Sequence, residues 1–239
     1  MVKTIAVLGC FRSGTNFTKA LLELNYTCKV VNDVFGWKHG VVPIVSNTLR
    51  SNFSFEYDGC YFITKNPYSF LYSLYKYFST VGLNIKAHKG FSDFIRNEII
   101  VFDQSQAKSP KMKFKNPVEL WNFMNWHYHS LDNIKHVRYE KLIESPELIV
   151  SKLADKLDLK RLDASFVVPE NKIKRMNDKG DYNGLLEYQT KEKFDRNVYS
   201  SNSYMLEYKK SDIDFVLNSL DHGLISSLGY KGLIDDLLS

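Results

Sequence analysis

The chain has 239 residues, 44% apolar and 25% charged, with a formal net charge of +5. That is the balance of an ordinary globular protein with room for one substantial domain over 1–239, and it excludes a disordered chain. The positive balance favours anionic partners. However, Lys and Arg are dispersed and form no recognisable module with the aromatics, so nucleic acid is not an expected partner.

The first strand is expected at "TIAVLG" (4–9), and "TNFTKALLEL" (15–24) has helical spacing with Phe17, Ala20, Leu21 and Leu24 on one side. One lysine and a short apolar run precede Arg12 with no small-residue cleavage site, which argues against a signal peptide. "CKVV" (28–31) and "CYFIT" (60–64) are short β-branched or aromatic runs of the kind buried in parallel sheets. Asn66-Pro67 then opens a helix through "YSFLYSLYKYF", and Asn116-Pro117 with Glu119 opens another to about Leu131.

"IKHVRY" (134–139) is the fourth expected strand, Ser145-Pro146 starts the helix "PELIVSKLADKL", and 211–230 is expected to be helical with Gly229 as its stop. Residues 86–115 and 169–203 are poorer in pattern and are expected to be loops or lids. The alternation predicts an α/β fold with a parallel sheet and a ligand site at the carboxyl ends of its strands, where Gly9 and Lys65 both fall.

Cys10, Cys28 and Cys60 are too few and too scattered for a disulfide framework or a metal site, which points to a reducing, cytoplasmic setting without metal. No stretch approaches the roughly 18 apolar residues of a membrane span, so no stable membrane insertion is expected.

The informative stretch is "GCFRSGTN" (9–16), a loop between strand and helix. Such a turn offers backbone N–H groups and the positive end of a helix to an anion, with Ser13, Thr15 and Asn16 as further donors. Gly9 and Gly14 have the separation of GxxxxGK[ST], but Thr15 stands where that loop has its lysine, so a γ-phosphate lacks its usual clamp. The strand ending "ITKNP" also lacks a magnesium-binding aspartate, which weighs against a small-molecule kinase.

"RSGTNF" after a strand resembles the phosphosulfate loop of the sulfotransferases that use 3′-phosphoadenosine 5′-phosphosulfate (PAPS). "TKNPYSFLYSLYKYF" (64–78) resembles their 3′-phosphate motif, a basic residue at a strand end and a helical serine eight positions later, here Lys65 and Ser73. "VRYEKLIESPE" (137–147) and "LGY" (228–230) are softer matches. Two departures are Arg12, where many cytosolic members carry lysine, and Lys65, where arginine is usual and a point charge replaces a bidentate fork.

The resemblance implies a P-loop-NTPase-like three-layer sandwich with a central parallel sheet. It also implies sulfuryl transfer from PAPS to a hydroxyl or amine of a small-molecule, carbohydrate or peptide acceptor, releasing PAP, without a metal. Arg12, Ser13, Gly14, Thr15 and Asn16 would hold the donor's 5′ end and Lys65 with Ser73 its 3′-phosphate. Phe17 stands where relatives stack an aromatic on adenine, although its helical spacing equally suits the core.

Arginine keeps its proton, so Arg12 is expected to act by charge. The base is expected in "NDVFGWKHG" (32–40): His39 by its titration near neutrality, or Asp33, which falls where the tyrosine-specific branch has its catalytic glutamate. Lys38 would touch the sulfonate, and one of Lys172, Lys174, Arg175 or Lys179 would complete the 3′-phosphate grip. The other reading is a nucleotide- or glycan-binding module of the same fold without turnover.

Overall fold

A computed structural model describes residues 1–31, 38–41, 57–81, 88–101, 112–162, 164–173 and 189–238. Its centre is a four-stranded sheet of β1 (Lys3–Leu8), β2 (Cys28–Val31), β3 (Gly59–Thr64) and β4 (Lys135–Arg138), in the order β2-β1-β3-β4. Every pairing is parallel, with Ile5 opposite Val30 and Gly59, and Phe62 opposite His136. The central strands β1 and β3 are apolar runs covered on both faces, as parallel sheets require, whereas the edge strands β2 and β4 each bury a single residue fully.

Alternation along the strands sends their side chains into two cores. Ile5, Val7, Val30, Tyr61, Ile63 and Val137 face α1 (Thr15–Asn25) and α2 (Pro146–Asp155), whose Leu21, Leu22, Val150 and Leu153 complete that layer. Ala6, Leu8, Cys60 and Phe62 face α3 (Pro67–Val81) and α4 (Pro117–His129), with Phe70, Leu71, Leu74, Trp121 and Met124. Further helices are α5 (Tyr139–Glu144), α6 (Asn197–Ser200), α7 (Lys210–Ser219), α8 (His222–Ser227) and α9 (Lys231–Leu238). The arrangement is three layers, helices on both faces of a central parallel sheet.

The helix-start signals act as their chemistry requires. Asn66 Oδ1 accepts from Ser69 N at 2.8 Å, and Asn116 Oδ1 accepts from Glu119 N at 2.9 Å. The expected C-terminal helix is instead two, α7 and α8, because Asp221 caps a new start by accepting from Leu224 N at 2.9 Å. Gly229 does end α8, in the left-handed region at φ 73°, with Tyr230 N donating back to Ile225 O at 2.9 Å.

The two stretches expected as loops hold short regular elements: the helix Phe91–Phe94, a strand pair of Ile99–Val101 with Met112–Phe114, and a second pair of Asn171–Ile173 with Gln189–Lys193. No helix among the described residues is long and apolar enough to cross a membrane.

From β1 the chain leaves through α1 toward one face of the sheet, and from β3 through α3 toward the other. The carboxyl tips of these neighbouring strands therefore form a topological switch point, the usual place for a ligand in an open α/β sheet.

Candidate functional site

The first loop, 9–14, is shaped by its two glycines. A Cβ on Gly9 would lie 2.4 Å from Ser13 Oγ and 2.7 Å from the Ile63 carbonyl oxygen, so only glycine lets the loop lie against β3. Gly14 has φ 98°, and a Cβ there would lie 2.3 Å from a ring carbon of Tyr139. Between them Arg12 sits at φ 58°, a left-handed conformation costly for a residue with a Cβ, with its side chain exposed.

No side chain caps the N-terminus of α1, whose first closing bonds run from Thr18 N and Oγ1 to Gly14 O at 3.0 and 3.1 Å. Ser13 is 1% exposed and its Oγ has no hydrogen-bond partner among the described residues. A buried hydroxyl beside an uncapped helix start is a donor set suited to an oxyanion. Thr15 is buried in the same turn.

The segment after β2 is laced to this loop. Gly9 N donates to Lys38 O at 3.1 Å, buried Lys38 donates from Nζ to Asn16 Oδ1, and Tyr128 of α4 donates to Gly40 O at 2.8 Å. His39 Nδ1 lies 2.7 Å from Gly9 O, and its ring stacks on Phe11 with centroids 5.1 Å apart at 19°. Because a carbonyl only accepts, Nδ1 carries the hydrogen, and the neutral ring has its lone pair on Nε2. Lys38 and His39 are thus brought to the loop. Asp33, Lys174, Arg175 and Lys179 lie outside the described residues.

The second loop follows β3. Lys65 Nζ donates to Ser73 Oγ at 2.7 Å, and both residues are buried. The ammonium lies 3.8 Å from the ring centre of Tyr199 and 4.6 Å from that of Tyr139, and Tyr199 OH is 3.0 Å from Ser73 Oγ. Trp121 Nε1 donates to Lys65 O at 2.8 Å, fixing the backbone from α4. Burial, and then the charge of Arg12, hold the Lys65 ammonium well below the usual lysine range, with Glu140 opposing.

Glu140 closes the site from the first turn of α5, the helix that follows β4. It accepts from Asn66 N at 2.8 Å and from Tyr230 OH at 2.9 Å. One set of donors satisfies the whole chain behind it: His136 Nε2 to Thr64 Oγ1 (2.6 Å), Thr64 to Tyr230 OH (2.9 Å), and Tyr230 to Glu140. Burial pushes the Glu140 carboxyl above its ordinary range and the His136 imidazole down to about 4.

Arg12 and Lys65 share one neighbourhood. The guanidinium lies 5.0 Å from the ring centre of Tyr77 on α3, and its charge acts on both Lys65 and Tyr139. Phe17 is buried against Phe194 (5.5 Å) and Tyr139 (6.5 Å) in the core beside α1. Tyr139, Glu140 and Tyr199 were not legible as site residues: "VRYE" is a weak pattern by itself, and Tyr199 reaches Ser73 only through tertiary packing.

The arrangement sets donors suited to an anion at each strand tip, those at the second covered by Tyr139 and Tyr199, with an imidazole beside the first. Among the described residues no group of three or more His, Cys, Asp or Glu is placed to hold a metal ion. Comparison with protein-family models, with curated proteins and with solved structures gives no match to this chain. Its functional reading therefore stands on the sequence motifs and on the geometry of these two loops.

Proposed function

We propose that the chain is a PAPS-dependent sulfotransferase on a P-loop-NTPase-like sandwich, acting on a hydroxyl or amine of a small-molecule, carbohydrate or peptide acceptor and releasing PAP. The observation that carries the reading is the pairing of Lys65 with Ser73 at 2.7 Å, one strand away from a glycine loop whose buried Ser13 hydroxyl lacks a partner. A donor with anionic groups on the 3′ and 5′ oxygens of one ribose suits two basic cradles on neighbouring strand tips.

When bound, PAPS supplies a sulfuryl group whose bond to the 5′-phosphate oxygen breaks as the acceptor's bond to sulfur forms. Ser13, Thr15, Asn16 and the N–H groups from Gly14 onward receive the 5′ anion at the N-terminus of α1. Arg12 offsets the charge that grows on the leaving oxygen, a role that needs no proton transfer. Lys38, held by Asn16, is close enough to the loop to steady the sulfonate.

His39 is the base in this reading, its Nε2 taking the acceptor's proton while Gly9 O holds Nδ1. Lys65 and Ser73 receive the 3′-phosphate. The absence of a lysine after Gly14 weighs against a kinase.

Thermal unfolding with PAP, PAPS, ATP and GTP in parallel tests the reading. At a hundredfold excess over Kd a native-state ligand adds about 2.7 kcal/mol, a rise of roughly 5–10 °C for a chain of this size. PAP and PAPS should produce it, with ATP and GTP inert. Stabilisation by Mg-ATP alone would overturn the proposal. PAP binding without radiosulfate transfer to any acceptor pool would point to the binding module.

A further inference from the structure

Lys65 and Ser73 are 3% and 4% exposed, which conflicts with a role in holding a phosphate unless something moves. Two tyrosines cover them, and the two are held very differently. Tyr139 is 3% exposed and belongs to the core beside α1 and α2. Tyr199 rides on α6, a four-residue turn without a buried residue whose backbone bonds are local, from Tyr199 N and Ser200 N to Arg196 O.

The geometry points to Tyr199 as a latch: its hydroxyl takes the place at Ser73 that a 3′-phosphate oxygen would occupy, and α6 must lift before such a group reaches Lys65. This inference rests on the sulfotransferase reading. A phosphate oxygen needs to come within about 2.8 Å of the ammonium, and the ring face centred 3.8 Å from Nζ blocks that approach. The same ring carries the hydroxyl that lies 3.0 Å from Ser73 Oγ, so one side chain closes both donors.

The segment is built to pivot between anchors. On one side Phe194 N donates to Glu170 O at 2.8 Å and its ring packs 5.5 Å from Phe17. On the other, buried Tyr204 accepts from Asn66 Nδ2 at 3.0 Å, and Tyr208 OH donates to Tyr68 O at 2.6 Å. Between α6 and the second anchor stands Asn202 at φ 57°, a left-handed joint in a non-glycine residue. Lifting α6 costs the Tyr199 contacts and the packing of Val198 against the core, and leaves both anchors in place. A ligand with a 3′-phosphate recovers that cost at Lys65, whereas one without it cannot.

Association rates of PAP and of AMP, which lacks the 3′-phosphate, test the latch on the full chain and on Tyr199→Phe and Tyr199→Ala. Loss of one hydrogen bond in Tyr199→Phe should raise the PAP rate roughly threefold to tenfold. Tyr199→Ala should raise it further, and AMP should gain nothing in either. Equal PAP rates in all three proteins overturn the latch and leave the sulfotransferase reading standing. Failure of all three to bind PAP overturns both. If Tyr199→Ala does not fold, the Tyr199→Phe rate decides.

Discussion

The imidazole of His39 and the carbonyl oxygen of Gly9 lie 2.7 Å apart, which ties the candidate base to the first residue of the anion loop. The bond sets the tautomer, so Nε2 of the neutral ring is the acceptor of protons. Replacing His39 with Ala should lower kcat for sulfuryl transfer about 10²- to 10⁴-fold. PAP affinity should change far less than kcat, because the proposed role of the imidazole is toward the acceptor. Steady-state kinetics beside a PAP titration checks this, and a comparable loss only in Asp33→Asn would move the role of base to Asp33.

Arg12 combines strain and function in one residue. At φ 58° a glycine would relieve the left-handed penalty, so Arg12→Gly should leave the fold as stable or raise its stability by up to about 1 kcal/mol. The same change should cost about 10²- to 10³-fold in kcat by removing the charge opposite the leaving oxygen. Denaturant melts paired with turnover would reveal this opposition; a destabilised Arg12→Gly protein would contradict it.

Gly14→Ala should fail on both counts. Its Cβ would meet the Tyr139 ring at 2.3 Å, and φ 98° is hostile to any side chain. A loss of at least about 1–3 kcal/mol in stability is expected, together with weakened PAP binding, since the loop must shift to clear the ring. Urea unfolding and calorimetric titration would measure the pair of effects.

Lys65 gives the binding reaction a pH signature. Its ammonium is held well below the ordinary lysine range by burial and by Arg12, and an adjoining phosphate dianion would raise it again. PAP binding should therefore take up protons at pH values above the lowered value of the unliganded site, and affinity should fall as pH rises through it. Calorimetry in buffers of different ionisation heat would register the uptake, and Lys65→Met should abolish it.

His136 should make the protein acid-sensitive. Its imidazole is pushed down to about 4 by burial, against roughly 6.5 in an unfolded chain. Below 6.5 the unfolded state binds a proton that the folded state refuses, so stability declines as pH falls from about 6.5 to 4 and then levels. The span corresponds to at most about 3 kcal/mol. His136→Phe, which keeps a ring stacked on Phe62, should flatten this slope in denaturant titrations at pH 7 and 4.5.

Much of the architecture was legible along the chain because it depends on local rules. "TIAVLG" and "CYFIT" are apolar enough to demand two covered faces, and Asn66-Pro67 and Asn116-Pro117 satisfy helix-start donors within three residues. The glycines at 9 and 14 marked the loop, and the resemblance of residues 64–78 to a 3′-phosphate motif marked Lys65 and Ser73 as a pair. The break at Asp221 was missed because a capping aspartate inside an apolar-periodic run looks like any other helical polar residue.

What the sequence by itself determined is thus the sheet, the loop and the identity of the cations, because periodicity, capping and glycine requirements act over a few residues. Only the tertiary structure decided that Lys38 and His39 fold back onto Gly9 and Asn16, that Glu140 meets Asn66 across β3 and β4, and that Tyr199 closes over Lys65 and Ser73. The hydrogen bonds among those contacts join residues 22 to 126 positions apart, and their energy depends on burial and mutual orientation, which no local pattern encodes.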